Sequence, residues 1–228
     1  MVDIWAGLGK AGRSGGAAHL ASGRRAGPLS RRHLIHISET ISPHTVSTAQ
    51  VIAGDLLEDA WKLYVQSFDP LRTIAVQRHV MYADEFDAVM ADTRVTKYLA
   101  FGEDGSLQGI STMTADLLAV PLVSPEYFAQ RWPERYTARR IFYIGFHAVH
   151  PDSHGTGVFG EMVKVMTHEV ALVDGIAILD VCTYNKDRLH LPRAVNSLAA
   201  TWASHVKMTM LDAQNYISYD FERTAATG

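Results

Sequence analysis

The sequence predicts a mixed α/β domain with a mostly antiparallel sheet and a single strand–helix–strand crossover. Apolar residues at helical spacing dominate the first third of the chain, and period-2 runs follow in its middle. The strongest strand then leads directly into the strongest helix, and a second buried strand comes after it. This order of elements is typical of a sheet with helices packed against it.

The first half of the chain predicts a strand, two helices and a hairpin. Asp55 begins an amphipathic helix, which Asp69-Pro70 ends because the residue before proline disfavours the helical region. A Gly/Asp-rich turn at residues 102–105 separates two β-prone runs. The expected elements are a strand at 48–52, a helix at 55–68, a helical region at 76–90 that allows an interruption near Tyr82, and hairpin strands at 97–101 and 107–113.

The second half begins with a long connection at residues 117–139, and a connection of this length in a compact domain is usually functional. The strand Ile141–Val149 follows it. The remaining expected elements are a helix at 157–173, a strand at 176–181, a helix at 192–205 and a closing strand pair at 206–211 and 216–221.

Length and composition suit one globular domain with a basic extension. The 228 residues are 47% hydrophobic and contain no apolar run long enough to span a membrane. Residues 1–33 hold six basic residues against one acid, a net charge of +5, which leaves −8 for the rest of a total of −3. We predict a disordered basic extension at residues 1–45, a folded domain at 46–223 and a tail at 224–228.

Charge and cysteine usage exclude several classes of function. An acidic domain is a poor nonspecific nucleic-acid binder, so neither a nucleic-acid nor a membrane partner is expected. Cys182 is the single cysteine, which excludes an internal disulfide and suits a cytoplasmic location. The oligomeric state, including a homodimer, stays open at this point.

The junction between the strongest strand and the strongest helix carries the most informative motif. Residues 149–160 read Val-His-Pro-Asp-Ser-His-Gly-Thr-Gly-Val-Phe-Gly. Pro151 halts strand pairing, and Gly155 and Gly157 permit backbone conformations that side chains would block. The N–H groups of a helix start then favour an anion. Because the motif lacks the P-loop Lys-Ser/Thr pair and the three-glycine dinucleotide fingerprint, it predicts a pyrophosphate held without metal.

These residues resemble the acyl-CoA motif of the GNAT (N-acetyltransferase-like) superfamily, of which the chain looks like a divergent member. The family pattern has Val, a Pro two residues later, then Arg or Gln, Gly, any residue, Gly, any residue, and Gly or Ala. Val149, Pro151, Gly155 and Gly157 match this pattern. The resemblance implies a GNAT-like sheet in which the strand before the junction and the strand after it splay apart to admit the pantetheine arm.

Two positions depart from the family pattern. His154 stands at the Arg/Gln position, and Phe159 stands where the family has a small residue, with Gly160 one place later. A weaker match lies further on, where Asn185 follows Val181 by four places. The cofactor-binding residues that the resemblance implies are His147, Ala148, Val149, His154, Gly155, Thr156, Gly157, Val158, Phe159, Gly160 and Asn185.

Direct transfer of an acyl group to an amine requires a base and an acid. His147 is the candidate base because histidine titrates near neutrality, and a hydrogen-bonded core histidine is the alternative. Tyr184 is the candidate acid toward the departing thiolate, with Tyr143 as a second candidate, although tyrosines near a sheet more often serve in packing. The helix tyrosine and the Gly-Phe pair of the family are absent from this sequence.

Other readings of the same residues carry less weight. His147, His150 and His154 straddle a proline and a glycine turn, so we expect no metal site. Cys182 without a paired histidine is expected to be an inert thiol.

The long connection at residues 117–139 has two equally compatible interpretations. In the first, its aromatic residues line an acceptor pocket, and the arginines of this segment receive the 3′-phosphate of CoA or an acidic acceptor. In the second, it is a surface flap stabilised by aromatic packing.

The resemblance implies an acyl-CoA-dependent N-acyltransferase. Acetyl-CoA or another acyl-CoA would be the cosubstrate, and the amine of a small molecule or peptide would be the acceptor. A transferase that joins long acyl chains to amino acids is one alternative. The other is a noncatalytic acyl-CoA-binding or interaction module in which Phe159 fills the phosphate cradle.

Overall fold

The computed structural model of the protein describes residues 44–221 and contains one five-stranded sheet in the order β1-β2-β3-β4-β5. The first four strands pair antiparallel, and β4 and β5 pair parallel. The predicted mixed α/β fold with a mostly antiparallel sheet is therefore confirmed. Most of the predicted basic extension and the tail at 224–228 lie outside the described residues.

The predicted elements up to the helix near residue 200 occur in the predicted order, and three short helices that the sequence did not predict (α2, α4 and α5) lie between them. The strands are β1 (Thr45–Ala49), β2 (Thr96–Phe101), β3 (Leu107–Thr114), β4 (Ile141–Val149) and β5 (Ile176–Ile178). The helices are α1 (Asp55–Phe68), α2 (Leu71–Ile74), α3 (Ala83–Ala91), α4 (Pro125–Arg131), α5 (Pro133–Thr137), α6 (Val158–Leu172) and α7 (Leu191–Trp202).

The sheet buries both of its faces, and alternate residues of β2 divide between them. Leu99 belongs to the core cluster of α1 and α3, while Tyr98 and Ala100 belong to the cluster of α6. Tyr64 of α1 is the aromatic centre of the first cluster, with its ring centroid 4.9 Å from that of Phe146. The period-2 pattern of β2 thus places a helical layer on each side of the sheet.

A β-bulge at Gly145 changes which residues of β4 face each layer. The register runs from Thr112 opposite Phe146 to Met113 opposite Ile144, so Gly145 has no partner on β3. A Cβ at Gly145 would lie 2.6 Å from the Thr112 hydroxyl oxygen, too close for any other residue without movement. As a result, Phe146 packs toward α1, and Phe142, on the other side of the bulge, packs toward α6.

A buried lysine fixes one end of the sheet. Lys97 of β2 is fully buried, and its ammonium donates hydrogen bonds to the carbonyls of Gln50 at 2.8 Å, Asp92 at 2.7 Å and Val95 at 2.9 Å. Burial lowers the pKa of Lys97 to about 8. These three bonds join the end of β1 to the loop between α3 and β2.

The helix predicted at residues 76–90 is shorter than expected. The Tyr64 hydroxyl lies 3.1 Å from the His79 carbonyl and 3.0 Å from the Met81 amide, which holds the chain before α3 outside a helix. α3 begins only after Tyr82, whose N–H donates to the Glu85 carboxylate at 2.7 Å. A tertiary contact therefore overrides the local helical pattern.

The predicted closing strands do not form in the described chain. Residues 203–221 contain neither helix nor strand, and β5 ends at Ile178, three residues before the predicted end. A three-residue strand offers few hydrogen bonds to a neighbour, so it does not hold a further hairpin in place. The first strand also lies earlier than predicted, at Thr45–Ala49.

Candidate functional site

The predicted cradle lies where β4 leads into α6. The His150 amide bonds the Gln108 carbonyl at 2.8 Å, and a single 3-10 turn (Pro151–Ser153) follows. Gly155 and Gly157 then adopt φ values of +79° and +100°, a left-handed conformation that other residues rarely adopt. The two glycines are therefore required by the backbone of this loop.

The backbone geometry at the start of α6 favours an anion. Gly157 is the N-cap residue and supplies no side chain to cap the helix. The Glu161 amide donates the first hydrogen bond within the helix, to the Gly157 carbonyl at 3.0 Å. The amides of residues 158–160 therefore have no partner within the helix. Lys164 lies 3.6 Å from the Glu161 carboxylate and offsets its charge. The helix dipole then favours a phosphate at this position.

Polar side chains hold the loop in place. The Ser67 hydroxyl of α1 lies 3.0 Å from the Val149 carbonyl, and the Ser153 hydroxyl bonds the Gln108 side chain. The Thr156 hydroxyl donates to the Ser153 carbonyl at 2.8 Å. Because these contacts come from α1, β3 and the loop itself, the backbone amides are arranged before any ligand arrives.

β4 and β5 pair over only three residues, and we call the side of β4 beyond this short ladder the crevice. The ladder joins Ile141 to Ile176 and ends where Tyr143 meets Ile178. Beyond that point the six residues of β4 that lead to the cradle have no strand partner on this side in the described part of the chain. The expected splaying of the two strands stays a prediction, because β5 itself ends at Ile178.

His147 lies on β4 at the side of this crevice that faces α6. It stands opposite Ser111 of β3, and its ring centroid is 4.6 Å from that of Phe159 in an edge-on contact. Its Nε2 atom is buried and has no hydrogen-bond partner among residues 44–221. Burial lowers the pKa of His147 to about 3, so the imidazole is neutral at physiological pH.

Phe159 is the second residue of α6 and directs its ring onto His147 of β4. The ring thus extends from the helix start toward the sheet, beside the glycine loop. This geometry favours Phe159 as a wall of the crevice over Phe159 as a plug of the cradle. The adjacent Gly160 is open, because a Cβ placed there would meet no atom within 4 Å.

Tyr184 and Asn185 lie in a single π-helical turn (Tyr184–Arg188) after β5, and both are half-buried. Among the described residues, no hydrogen bond or ring contact joins Tyr184 to His147. Tyr143, the second candidate acid, donates a short hydrogen bond to Asp180, and burial is the main cause that raises its pKa. That bond connects β4 to the chain just beyond β5, so the Tyr143 side chain helps to hold these two segments together.

The long connection packs against the sheet, and Arg135 and Arg140 make their contacts away from the cradle. Phe128, Trp132 and Tyr136 belong to a core cluster with Ile141. Arg135 pairs with Asp174 at 2.9 Å, and Arg140 donates to the Val173 carbonyl at 3.3 Å. These partners follow α6, on the order of 20 Å from its start for a helix of 15 residues. For these two arginines, the predicted 3′-phosphate contact is therefore not favoured.

Neither His150 nor Cys182 assembles a reactive group. The His150 ring lies 3.3 Å from the Asp152 amide, and Cys182 is half-buried. Burial lowers the pKa of His154, a shift that its contact with the Val149 backbone opposes.

Residues 44–221 contain no group of three or more His, Cys, Asp or Glu able to hold a metal. Within the same residues, no helix has the length and apolarity that a bilayer span requires.

A separate cavity of about 390 Å³ lies at the other end of the sheet. Glu169, late in α6, and Phe142, early in β4, both line it, so it is remote from the cradle that follows β4. Its other lining residues are Thr93, Arg94, Thr96, Met113, Thr114, Ala115, Asp116 and Arg139.

Sequence reasoning missed the residues that shape the site from a distance. Ser67 of α1 and Gln108 of β3 lie far from the motif in sequence, and only the fold brings them to the loop. The role of Gly109 was missed as well. A Cβ at this position would lie 2.8 Å from the Val158 side chain at the start of α6, so glycine lets β3 approach the helix closely. A lone glycine inside a strand signals such a close approach, and both Gly109 and Gly145 carried that signal.

The chain has been compared with known proteins, and neither a family model nor a curated protein matches it in sequence. It is similar to the solved structure of an aminoglycoside acetyltransferase from an uncultured soil metagenomic sample in complex with sisomicin, at 11% identity and a TM-score of 0.44, covering 77% of this chain and 97% of that one. It is also similar to a ribosomal-protein-alanine N-acetyltransferase from Brucella melitensis, at 14% identity and a TM-score of 0.45, covering 75% and 99%.

A third similar structure is an aminoglycoside N-acetyltransferase in complex with CoA, at 13% identity and a TM-score of 0.42, covering 76% of this chain and 95% of that one.

Proposed function

We propose that the protein is an acyl-CoA-dependent N-acyltransferase that transfers an acyl group, acetyl in the simplest case, directly to the amine of a small molecule or peptide. The observation that carries the proposal is the left-handed Gly155–Gly157 loop at the open start of α6, beside the gap between β4 and β5. A phosphate cradle next to a sheet crevice suits a ligand with a pyrophosphate and a narrow extended arm. A cytoplasmic location belongs to the same proposal.

The backbone supplies the binding groups. The amides of residues 155–160 would hold the pyrophosphate, with the His154 side chain beside them. The unpaired edge of β4 at His147, Ala148 and Val149 would bond the pantetheine arm, and Asn185 would face it across the crevice. A strand N–H would polarise the thioester carbonyl as negative charge develops on its oxygen.

The transfer step forms a C–N bond and breaks the C–S bond. The attacking amine would lose one proton to solvent water, and Tyr184 would donate one to the departing thiolate and regain it from solvent. His147 suits neither proton transfer well, because a group with a pKa near 3 is a weak base at neutral pH. Its buried Nε2, which lacks a partner among the described residues, suits a hydrogen bond to the acyl-CoA instead.

Binding and turnover need separate experiments. Calorimetry with CoA, acetyl-CoA and a long-chain acyl-CoA tests the binding and the acyl length together. We expect acetyl-CoA to bind more tightly than the long-chain ester, since the Phe159–His147 contact narrows the crevice. The reverse preference would support the long-chain transferase, and no binding of any ester would remove the acyl-CoA assignment.

Gly160→Leu tests the cradle itself. Its Cβ would meet nothing in the protein and, as in any helix, would lean toward the helix start. The variant should fold at least as stably as the parent chain and lose acetyl-CoA affinity. His168→Leu places the same side chain at an exposed site on α6 and should bind normally. Equal affinities for the two variants would contradict the cradle.

Turnover is measured as thiol release from acetyl-CoA with a panel of amines. Tyr184→Phe should reduce kcat more than KM, because the hydroxyl is needed only when the thiolate departs. Binding of acetyl-CoA without thiol release, whatever the amine, would support the noncatalytic acyl-CoA-binding module.

A further inference from the structure

A second concave site lies far from the phosphate cradle, at the end of the sheet where β4 begins. This cavity of about 390 Å³ has a size that suits a small molecule. Met113 and Phe142 line it and belong to the core cluster that packs α6 on the sheet. The cavity therefore lies on the α6 face of the sheet, whereas α1 and α3 cover the other face.

Hydrogen bonds fix the frame of this cavity. The Thr114 hydroxyl at the end of β3 donates to the Arg94 carbonyl at 2.8 Å, which joins β3 to the chain that leads into β2. The fully buried Tyr98 of β2 donates a short hydrogen bond from its hydroxyl to the Glu169 carboxylate of α6. The Glu169 side chain is thus held in one position on the cavity wall.

The charges on the wall divide into a balanced group and an unpaired couple. Arg94 forms a salt bridge with Asp92 at 2.6 Å, and Asp92 and, to a smaller extent, Asp116 raise the pKa of Arg94. Arg139 and Glu169 line the same cavity, and neither forms a salt bridge with any residue of 44–221. One cation and one anion therefore share the cavity and are too far apart to pair with each other.

The backbone of Arg139 adopts a conformation that glycine would adopt more easily. Its φ is +52°, in the left-handed region, and its amide donates to the Tyr136 carbonyl at 3.0 Å as α5 ends. A glycine at this position would relieve the strain. An arginine that stands here in spite of the strain, on the wall of a cavity, is consistent with a binding role for its guanidinium.

We propose that this cavity binds an apolar α-amino acid as its zwitterion. The ligand carboxylate pairs with the Arg139 guanidinium, and the ligand ammonium pairs with the Glu169 carboxylate. The ligand side chain packs on Met113 and Phe142. Such a ligand balances both unpaired charges at once, which neither a simple anion nor a simple amine can do.

The amino-acid site is separate from the acyl-CoA cradle, and the proposal does not depend on acyl-CoA binding. Glu169 follows Val158, the first residue of α6, by a distance of about 16 Å along the helix. Among the described residues, β2, β3, β4 and α6 line the cavity and β5 contributes none, whereas the crevice lies on the β5 side of β4. The amino acid is therefore a second ligand of the protein and not the acceptor of the acyl group.

Calorimetry with the full-length chain and L-leucine tests the site. Two half-ligands separate its charges, because isocaproate lacks the ammonium of leucine and isoamylamine lacks the carboxylate. We expect leucine to bind at least about 10-fold more tightly than either half-ligand, since each loses one charge-assisted bond. A half-ligand that binds as tightly as leucine, or no leucine binding up to roughly 10 mM, would overturn the proposal.

Arg139→Gly tests the carboxylate contact. The variant removes the guanidinium and suits the left-handed backbone, so it should fold about as stably as the parent chain. Its affinity for leucine should fall at least about 10-fold, while its affinity for isoamylamine stays unchanged. His190→Gly is the matched control, because His190 is exposed, has φ of +51° and lies outside the cavity. This control should bind leucine like the parent chain.

Glu169→Gln tests the ammonium contact. Glutamine keeps an oxygen that can accept the Tyr98 hydrogen bond and loses the charge. Leucine affinity should fall at least about 10-fold, and isocaproate affinity should not change. Saturating leucine should also slow hydrogen exchange at residues 93–96 and 114–116 of the parent chain. Unchanged leucine affinity in either cavity variant, or protection confined to the crevice, would place leucine elsewhere and overturn the proposal.

Discussion

His147 shows how burial changes the role of a side chain that the sequence offers as a base. A histidine beside a predicted cofactor site suggests proton transfer, and the strand period places it on β4. Its depth between β4 and α6 is a property of the folded molecule, and that depth keeps the imidazole neutral. A hydrogen-bonding role is therefore better supported than a base.

The buried imidazole should make stability depend on pH. Its pKa falls from 6.5 in the unfolded chain to about 3 in the folded chain, so the unfolded state binds the proton first as the pH drops. This contribution is complete above pH 6.5 and is lost progressively as the pH falls from there toward 3. In urea titrations, the free energy of unfolding of His147→Gln should fall less steeply with decreasing pH than that of the parent chain. The control His168→Gln, at an exposed position, should follow the parent chain. If the free energy of unfolding fell in parallel with pH for the parent chain and both variants, the burial of a neutral His147 would be refuted.

Lys97 should be among the most sensitive positions of the sheet. Lys97→Met removes the donor for three carbonyls and leaves them without their partner in the interior. We expect a loss of about 3–5 kcal/mol in the free energy of unfolding, measured by denaturant titration. Lys62→Met, at a side chain 64% exposed, should change it by less than about 0.5 kcal/mol. Similar losses for both would mean that the burial of Lys97 is unimportant.

At the scale of elements, the β4–loop–α6 unit depends on glycines for two different reasons. Gly157 is needed for its backbone conformation, since no atom lies within 4 Å of a Cβ placed there. Gly109 is needed for space, since β3 and the start of α6 approach closely at that point. The sequence marks both as glycine, and only the packing tells the two reasons apart.

Gly157→Ala should weaken acetyl-CoA binding by changing the loop conformation. Gly54 is its control, because it also precedes a helix with a positive φ of +61° and open space around its Cβ. Its ψ of −143° lies near a region that only glycine adopts readily, so Gly54→Ala should cost at least as much stability as Gly157→Ala. Both alanine variants should lose about 1 kcal/mol of stability or somewhat more. Only Gly157→Ala should lose affinity in calorimetry, and an equal loss for Gly54→Ala would show that general destabilisation is the cause.

Gly109→Ala should destabilise the protein by overpacking. The added methyl would lie 2.7 Å from the Met162 sulfur and 2.8 Å from Val158, and the branched valine has little freedom to move. We expect a loss of about 1–3 kcal/mol, seen as a lower midpoint in urea. Gly160→Ala, in an open helical position, should instead raise stability by up to about 1 kcal/mol. Equal midpoints for the two variants would argue against the close packing of α6 on β3.

At the scale of the whole molecule, the predicted domain of residues 46–223 remains a prediction with a direct test. A chain that starts at residue 46 keeps nearly all of β1 and the whole junction, so it should fold and bind acetyl-CoA like the full chain. A chain that starts at residue 51 lacks β1 and the Gln50 carbonyl that Lys97 bonds, and should be strongly destabilised. Thermal melts and calorimetry of both separate these outcomes, and failure of the first chain would place residues 1–45 inside the domain.

The sequence by itself determined the order of elements, the mostly antiparallel sheet and the position of the glycine loop. These depend on local period, on proline and glycine and on the strand–loop–helix order, all of which can be read along the chain. Tertiary structure decided the start of α3, the bulge at Gly145, the neutral state of His147 and the absence of the closing strands. Each of these depends on a contact between distant residues, such as Tyr64 with His79 or β4 with α6, or on the lack of a neighbouring strand.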